Sequence, residues 1–387
     1  MKKFTYLLAV AAVFTACNSG NNGYTVTGTV EGAADGDTVY LETVEGRQFV
    51  KLDSAVIKDG TFTFKGTQDT AVNRYISYKA EGKDGAAIDF FLENGKIKIN
   101  LSQENNSATG TANNDAYQEI RAQINGLNKQ MMSIYESMSD TTLTDEQREA
   151  KGKEMENLEN SMISAIKAGI NKNITNPVGV LLLKQNYYYM DVADLDPLMP
   201  QIPAAYDNDE AIVKIKNNVE KMKATAVGQK FTDFEMQTPE GKTVKLSDYV
   251  GKGKVVLVDF WASWCGPCIR QTKVIKELYN KYKDKGLDVV GVAVWDEVPN
   301  TLAAIKSHKL DWPCILNAQT IPTDLYGISG IPCILLINPE GIIVSRDKQS
   351  QELIDAVDSA MSTFELPAPT ASAVTTTDAP ADTAAIF

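Results

Sequence analysis

The feature that most constrains this chain is a pair of cysteines, Cys265 and Cys268, separated by two residues. The apolar run at residues 255–260 comes just before the pair and predicts a buried strand. Apolar residues at helical spacing come just after it, at Ile269, Ile275, Leu278, Tyr279 and Tyr282. The two cysteines are therefore expected where a buried strand ends and a helix begins.

The first turn of a helix has free N–H groups and carries the positive end of the helix dipole. A thiolate there is stabilised, so we expect the pKa of the Cys265 thiol to lie below its free value of about 8.5. Gly266 and Pro267 keep the cysteines apart and begin the helix, because Pro tolerates a first-turn position. Cys265 is expected to be the exposed cysteine. A pair at this spacing can form a disulfide within one helical turn, which suits thiol–disulfide exchange.

The same residues carry a family resemblance. Residues 258–262, VDFWA, followed by residues 264–268, WCGPC, resemble the active-site segment of thioredoxin. Residues 326–332, YGISGIP, resemble the thioredoxin segment that carries a cis-proline beside that site. The stretch from 228 to 361 resembles extracytoplasmic thioredoxin-like modules of the cytochrome-maturation and peroxiredoxin-related type. We therefore expect a thioredoxin-like domain at residues 228–363, with a central mixed sheet and helices on both faces.

The resemblance and the thiol chemistry together assign the catalytic roles. Cys265 is the expected nucleophile and forms a mixed disulfide with the substrate, after which Cys268 attacks Cys265 and releases the reduced substrate. Asp259 lies where thioredoxins place a buried aspartate. In an apolar strand its carboxyl should have a raised pKa and should accept the proton of Cys268. The alternative for Asp259 is a strand residue that faces the surface.

The resemblance also implies a substrate-binding surface. A cis peptide bond before Pro332 would present the backbone of Ile331 to an extended substrate strand. Trp264 should form an apolar contact surface, whereas Trp261 should lie in the core. The residues expected to contact the substrate are Trp264, Gly266, Pro267, Ile331 and Pro332. No cofactor and no metal site are expected.

Two further cysteines leave alternatives open. Cys333 follows Pro332, where thioredoxins have Thr, and is either an inert buried residue or a third redox thiol. A zinc site is disfavoured, because Cys314 and Cys333 lie far from the first pair along the chain and are not paired. A peroxiredoxin site is disfavoured, because the Thr and Arg of that family are missing ahead of Cys265. Lys273 replaces a helix-kinking Pro of the family, so a straighter helix is expected.

The N-terminal segment 1–17 has the pattern of a targeting signal. Lys2 and Lys3 precede an apolar run at residues 7–14 that is too short to span a membrane. Small residues before Cys17 resemble a bacterial lipoprotein signal, in which that cysteine is lipidated. We therefore expect a lipid anchor in the membrane via Cys17 and a periplasm-facing lipoprotein of the outer membrane. The alternative is an ordinary secretory signal with Cys17 incidental.

Two further domains are expected between the signal and the redox module. Residues 24–101 alternate apolar and polar side chains between turn signals, which predicts six or seven antiparallel strands in a small sandwich. This part resembles a domain of unknown function that precedes thioredoxin modules in exported lipoproteins, and we expect a spacer or docking domain. Residues 102–113 are expected to form a linker, and residues 114–226 a helical domain.

The expected elements follow from periodicity and turn signals. Thr144 and Gln147 form a capping box at the start of the second helix. Three tyrosines at residues 187–189 are expected to pack in the core or between domains rather than to line a ligand pocket. The tail at residues 366–387 should be disordered. Helices are expected at 115–138, 144–171, 178–189, 208–225, 268–283, 301–308 and 352–361. Strands of the redox domain are expected at 255–260, 289–294, 334–337 and 342–344.

The expected fold class is multidomain α+β. A net charge of −12 argues against nucleic acid as a partner. We expect a thiol–disulfide oxidoreductase that reduces disulfide-bearing exported proteins in the periplasm, with electrons from a membrane thiol donor. One alternative is a cell-envelope lipoprotein whose β and helical domains bind a partner, with a secondary redox domain. Another is a thiol oxidase or peroxide-linked protein. The redox state of the cysteine pair in cells would distinguish a reductase from these alternatives.

Overall fold

The computed structural model describes residues 23–79, 85–102 and 105–363. The expected signal segment with Cys17 and the expected disordered tail at 366–387 lie outside the described residues. Among the residues that are described, no helix is long and apolar enough to cross a membrane.

The chain divides into two compact units. The first unit extends to Gly169 and includes Asn176–Val178, and the second contains Ile170–Thr175 and the chain from Gly179 onward. The helices expected at 114–226 are therefore shared between the two units and do not form a third one.

In the first unit, short strands alternate between buried and exposed residues. One sheet has the strand order β4-β1-β7-β8, and the other has the order β3-β2-β5-β6. Residues from both sheets, such as Val26, Ile76 and Ile97, share one apolar core, which confirms the predicted sandwich. The strands are β1 (Tyr24–Val30), β2 (Thr38–Glu45), β3 (Gln48–Val56), β4 (Thr61–Gly66), β5 (Val72–Tyr78), β6 (Ala86–Leu92), β7 (Gly95–Leu101) and β8 (Ser107–Thr109).

Two features of the sandwich differ from the expectation. Strand β1 runs parallel to β7, with Val26 opposite Ile97, so this sheet is not purely antiparallel. The segment 102–113 is not a linker, because β8 pairs with β7 and the N–H of Ala108 donates to Oε1 of Gln118 over 3.1 Å. Only the middle residue of this short strand is buried, so the polar composition of the segment concealed it.

The predicted helices correspond to α1, α2, α3 and α5. Thr144 and Gln147 form the predicted capping box, in which each backbone N–H donates to the other side chain. Helix α3 ends earlier than predicted, and a 3-10 turn follows at Tyr187–Tyr189. Helix α4 was not predicted, because four residues are too few to show helical periodicity. The bounds are α1 (Ala112–Met138), α2 (Asp145–Asn173), α3 (Pro177–Asn186), α4 (Val192–Leu195) and α5 (Glu210–Ala224).

The second unit contains the expected mixed sheet. A lead-in hairpin pairs β9 (Glu235–Gln237) with β10 (Thr243–Lys245). The sheet has the order β13-β12-β11-β14-β15, from β11 (Val255–Trp261), β12 (Leu287–Ala293), β13 (Cys314–Ile315), β14 (Cys333–Ile337) and β15 (Ile343–Arg346). The helices are α6 (Gly266–Tyr282), α7 (Val298–His308), α8 (Ile321–Tyr326) and α9 (Ser350–Thr363). Strand β13 and helix α8 are too short for periodicity to predict them.

Strand β11 lies at the centre of this sheet and is buried along its whole length. It runs parallel to β12 and antiparallel to β14, so the sheet is mixed, as predicted. Val256, Val258 and Phe260 pack into the core on one face, whereas Leu257 and Trp261 pack into the core on the other. Helices and loops cover both faces, which explains the continuous apolar run that identified this strand in the sequence.

Candidate active site

Cys265 and Cys268 form a disulfide at the start of α6, with their Cα atoms 5.2 Å apart. Cys265 is the N-cap residue, and the backbone N–H of Cys268 donates to its Sγ atom over 3.1 Å. Gly266 and Pro267 occupy the first turn of the helix. The sulfur of Cys265 therefore lies at the positive end of the helix dipole and accepts a free N–H, and both interactions favour a thiolate after reduction.

The prediction that Cys265 is exposed is wrong for this disulfide form. Its exposed fraction is 4%, although Cys268 is buried more deeply still. The carbonyl oxygen of Ile331 lies 3.7 Å from Sγ of Cys265 and covers it. By contrast, the indole of Trp264 is largely exposed beside the pair, and Trp261 is buried, as the sequence predicted.

The loop that covers Cys265 contains the cis-proline. The Ile331–Pro332 peptide bond is cis, in agreement with the expectation. Strand β14 begins directly after it and pairs Cys333 with Phe260 of β11. Because β11 leads into the loop before Cys265, this pairing places the cis-proline loop beside the first turn of α6. Ile331 and Pro332 are half-buried, which leaves part of the loop surface open next to the disulfide.

Asp259 lies in the middle of β11 and is buried, which excludes the alternative of a surface-facing residue. Successive side chains of a strand point to opposite faces, so Asp259 shares the face of Leu257 and Trp261. These two residues belong to the apolar core that also contains Cys265 and Cys268. Burial raises the pKa of the Asp259 carboxyl to about 7, and its Oδ1 atom has no hydrogen-bond partner among the described residues. This carboxyl can therefore exchange a proton near neutral pH.

A second buried carboxylate, Asp296, was not predicted from the sequence. It follows β12, and its Oδ2 accepts the N–H of Ser263 over 2.7 Å and the hydroxyl of Thr301 over 2.8 Å. Its Oδ1 accepts the hydroxyl of Ser263 over 3.0 Å and the N–H of Glu297 over 2.9 Å. Asp296 thereby fixes the loop that leads to Cys265. Its position at the carboxyl end of a buried parallel strand is the signal that could have found it.

The same region fixes the exposed indole beside the disulfide. Nε1 of Trp264 donates to the carbonyl oxygen of Trp295 over 3.0 Å. Trp295 has a φ of 54°, in the left-handed region that bulky residues rarely adopt. The amide of Gln319 supports this turn by donating to the carbonyl oxygen of Asp296 over 2.8 Å. The Trp264 side chain is thus held in place while much of its surface stays open to solvent.

Cys314 and Cys333 are not part of the disulfide, although Cys314 packs against the core that contains Cys265, Cys268 and Trp261. Cys333 packs with Phe260 in the core on the opposite face of the sheet from the disulfide, and burial raises the pKa of its thiol. Burial also raises the pKa of the Cys314 thiol to about 12. Both thiols therefore stay protonated at neutral pH, which favours the inert alternative for Cys333. Within the described residues, no group of three or more His, Cys, Asp or Glu side chains is placed to hold a metal ion.

Two parts of the chain match known protein families. Residues 227–346 match the AhpC/TSA family. Residues 24–117 match a domain of unknown function, DUF4369. The first range contains the disulfide, Asp259 and the cis-proline, and the second contains the β-sandwich and the beginning of α1.

Several known proteins are similar to part of this chain. Thiol-disulfide oxidoreductase ResA of Bacillus subtilis is 32% identical over 117 residues, which cover 30% of this chain and 64% of the relative. ResA of Geobacillus thermodenitrificans is 33% identical over 118 residues and is covered to 67%. ResA of Bacillus thuringiensis subsp. konkukian is 30% identical over 125 residues and is covered to 71%. The chain therefore spans about two thirds of these relatives, and slightly less than that of the first.

A solved structure is also similar in sequence. The thioredoxin domain of a thiol-disulfide oxidoreductase from Bacteroides vulgatus has 31% sequence identity to this chain and a TM-score of 0.32. The match covers 35% of this chain and 96% of that domain.

Proposed function

Because this chain belongs to the family of thiol-disulfide oxidoreductases that includes ResA, we propose that it reduces the disulfides of exported proteins through Cys265 and Cys268. The observation that carries the proposal is the environment of the Cys265 sulfur, which caps α6 and accepts the N–H of Cys268. A thiolate is the species that attacks a disulfide, and this environment stabilises a thiolate.

The first step forms a mixed disulfide. In the reduced enzyme, the Cys265 thiolate attacks one sulfur of the substrate disulfide. The bond between the two substrate sulfurs breaks, and a bond from Cys265 to the attacked sulfur forms. The other substrate sulfur leaves as a thiolate and takes a proton from water. The exposed surfaces of Trp264, Gly266 and Pro267 contact the substrate chain on one side of the nucleophile, and the backbone of Ile331 contacts it on the other.

The second step releases the substrate. Cys268 is buried, so its thiol needs an acceptor for its proton before it can attack. Asp259 is the buried carboxylate on the same face of the sheet, and it accepts this proton directly or through a water molecule. The Cys268 thiolate then attacks Sγ of Cys265, the Cys265–Cys268 disulfide forms, and the second substrate sulfur leaves. Two electrons have passed from the enzyme to the substrate.

The oxidised enzyme must then be reduced by two electrons. We assign this role to a membrane dithiol donor that exchanges with the Cys265–Cys268 disulfide, because an oxidising periplasm supplies no reductant of its own. The basic start, short apolar run and Cys17 of the N-terminal segment support a lipid-anchored, periplasm-facing protein of the outer membrane.

Trapping in cells tests the proposed function. Cys268→Ser should accumulate mixed disulfides between Cys265 and exported proteins, which mass spectrometry can identify. Cys265→Ser should form none and should lose insulin reduction down to the uncatalysed rate. Cys333→Ala is the matched control and should behave as the wild type. Alkylation of intact cells should find the wild-type pair reduced, and a permanently oxidised pair would contradict a reductase and favour an oxidase or a partner-binding protein.

Fractionation tests the proposed anchor. Cys17→Ala should move the protein from the membrane fraction to the soluble fraction while insulin reduction continues at the wild-type rate. A variant that stays with the membrane would contradict a lipid at Cys17 as the sole anchor.

A further inference from the structure

The three tyrosines that follow α3 lie next to the cis-proline loop. Tyr188 packs against Gly330, the residue before Ile331: a Cβ atom at Gly330 would stand 3.7 Å from Cβ and 4.0 Å from Cδ2 of Tyr188. The exposed fractions of Tyr188 and Tyr189 are 46% and 38%, and their rings lie with centroids 4.3 Å apart. The sequence suggested that these tyrosines pack in the core or between domains, but Tyr188 and Tyr189 are exposed and form an aromatic surface beside the active-site loop.

Helix α5 holds this loop in place. Nδ2 of Asn218 donates to Oγ of Ser329 over 3.0 Å. Gly327 approaches the same helix so closely that a Cβ atom there would stand 2.6 Å from the carbonyl oxygen of Asn218. Arg346 joins the two segments again, because it donates to the carbonyl oxygens of Thr225 and Tyr326. The helical part of this unit thus contacts the loop directly and fixes its position relative to the tyrosines.

A short series of contacts connects the disulfide to the tyrosines. Sγ of Cys265 lies 3.7 Å from the carbonyl oxygen of Ile331, and Gly330, the residue before Ile331, packs against Tyr188. An extended chain advances by about 3.3 Å per residue. A substrate strand that lies on the backbone of Ile331 would therefore reach the tyrosines within a few residues of its reacting cysteine.

We propose that Tyr188 and Tyr189 form a specificity-determining extension of the substrate site, which binds aliphatic or aromatic side chains of an extended polypeptide near the target cysteine. The inference rests on the proposed reductase function. The occupant is an unfolded or extended segment of an exported protein, because apolar side chains near a cysteine are available to an aromatic surface only before folding buries them. The helical segment thereby selects which disulfides the redox domain reduces.

Two model substrates test this inference. Both are peptides with the same disulfide; one has Leu and Phe two to four residues from each cysteine, and the other has Gly and Ser at those positions. The double variant Tyr188→Ala/Tyr189→Ala should lower the ratio of kcat/KM between the apolar and the polar peptide about tenfold, mainly through KM. Tyr188→Phe/Tyr189→Phe should keep the ratio within about twofold, because the rings remain.

Tyr135→Ala is the matched control, because Tyr135 is a 69% exposed tyrosine of α1 in the other unit. It should leave the ratio unchanged. The inference would be overturned if the double Ala variant kept the wild-type ratio of kcat/KM, which includes an equal fall in kcat/KM for both peptides. It would also be overturned if the double Phe variant lowered that ratio as much as the double Ala variant does. A wild-type protein that reduces neither peptide would overturn the proposed reductase function itself, which separates that failure from a failure of the tyrosine surface.

Discussion

Asp259 lies within strand β11, Asp296 follows the neighbouring parallel strand β12, and both carboxylates are buried. Their surroundings differ. Asp296 accepts hydrogen bonds at both oxygens from the backbone and hydroxyl groups of residues around it. Asp259 lies among apolar side chains, and its Oδ1 has no partner within the described residues. Because both carboxylates are buried, the difference between them is the number of hydrogen-bond donors around each one.

The difference separates a structural carboxylate from one that can exchange a proton. Donors that point at a carboxylate stabilise its charge, whereas burial without donors disfavours the charge and raises the pKa. Asp296 therefore fixes the loop before Cys265, and Asp259 binds and releases a proton near pH 7. The same Asp-to-Asn substitution should then have opposite effects on the stability of the second unit at the two positions.

The largest expected effect is that of Asp259→Asn. Between about pH 4 and pH 7, native Asp259 keeps the proton that the unfolded chain releases, so wild-type stability falls as pH rises through this window. The shift from 3.8 to about 7 spans about three pKa units, each worth about 1.4 kcal/mol. The Asn side chain does not ionise, so the stability of the variant should not fall in this pH window. Its free energy of unfolding should exceed that of the wild type by up to about 4 kcal/mol at pH 8.

Denaturant titrations of the oxidised protein at several pH values measure this difference. All the tryptophans, Trp261, Trp264, Trp295 and Trp312, belong to the second unit, so their fluorescence reports its unfolding alone. The two proteins should unfold with equal free energies below about pH 3, where the wild-type carboxyl is protonated in both the folded and the unfolded state. A stability difference that does not depend on pH would contradict the raised pKa.

The next effect is a loss of stability in Asp296→Asn. An amide has only one acceptor oxygen, so in either orientation its NH₂ group faces a backbone N–H, from Ser263 or from Glu297. A buried donor without an acceptor lowers stability by about 1–3 kcal/mol. Tryptophan fluorescence in denaturant should show this loss at pH 8, where Asp259→Asn shows a gain. A gain of stability at both positions would remove the distinction between the two carboxylates.

The smallest expected effect is that of Thr301→Val, which keeps the side-chain shape and removes one donor to Asp296. Oδ2 retains the N–H of Ser263, so the charge stays compensated. The free energy of unfolding should fall by about 1 kcal/mol, less than in Asp296→Asn. An effect larger than that of Asp296→Asn would mean that the hydroxyl of Thr301, and not the carboxylate, organises the loop.

These two carboxylates also show where sequence reasoning succeeds. Asp259 was found because a charged residue interrupts an apolar strand, which is a local signal. Asp296 was missed because Ser263, its principal partner, is 33 residues away and reaches it only through the parallel pairing of β11 and β12. The burial of Cys265 beneath the carbonyl oxygen of Ile331 was missed for the same reason, since Ile331 is 66 residues further along the chain.

For the fold too, local sequence patterns predicted the elements, whereas pairings between distant segments were not predicted. Alternation of apolar and polar residues predicted the sandwich, whose strands are buried on one face, and a continuous apolar run predicted the central strand β11, which is buried on both. Alternation carries no strand direction, so the parallel pairing of β1 with β7 was not foreseen. Ala108 gives the short strand β8 only one buried residue, too few to form a pattern.

The role of Asp259 as acceptor of the Cys268 proton is tested most directly by the single-turnover rate of mixed-disulfide resolution between pH 6 and 9. Without an acceptor, Cys268 must ionise unaided; even a free thiol with a pKa of about 8.5 is only about 3% ionised at pH 7, and burial disfavours the thiolate further. Asp259→Asn should therefore resolve the mixed disulfide at least about 30-fold more slowly than the wild type at pH 7, and the difference should shrink as pH rises to 9. Identical pH–rate profiles for the two proteins would mean that Asp259 has no role in the proton transfer.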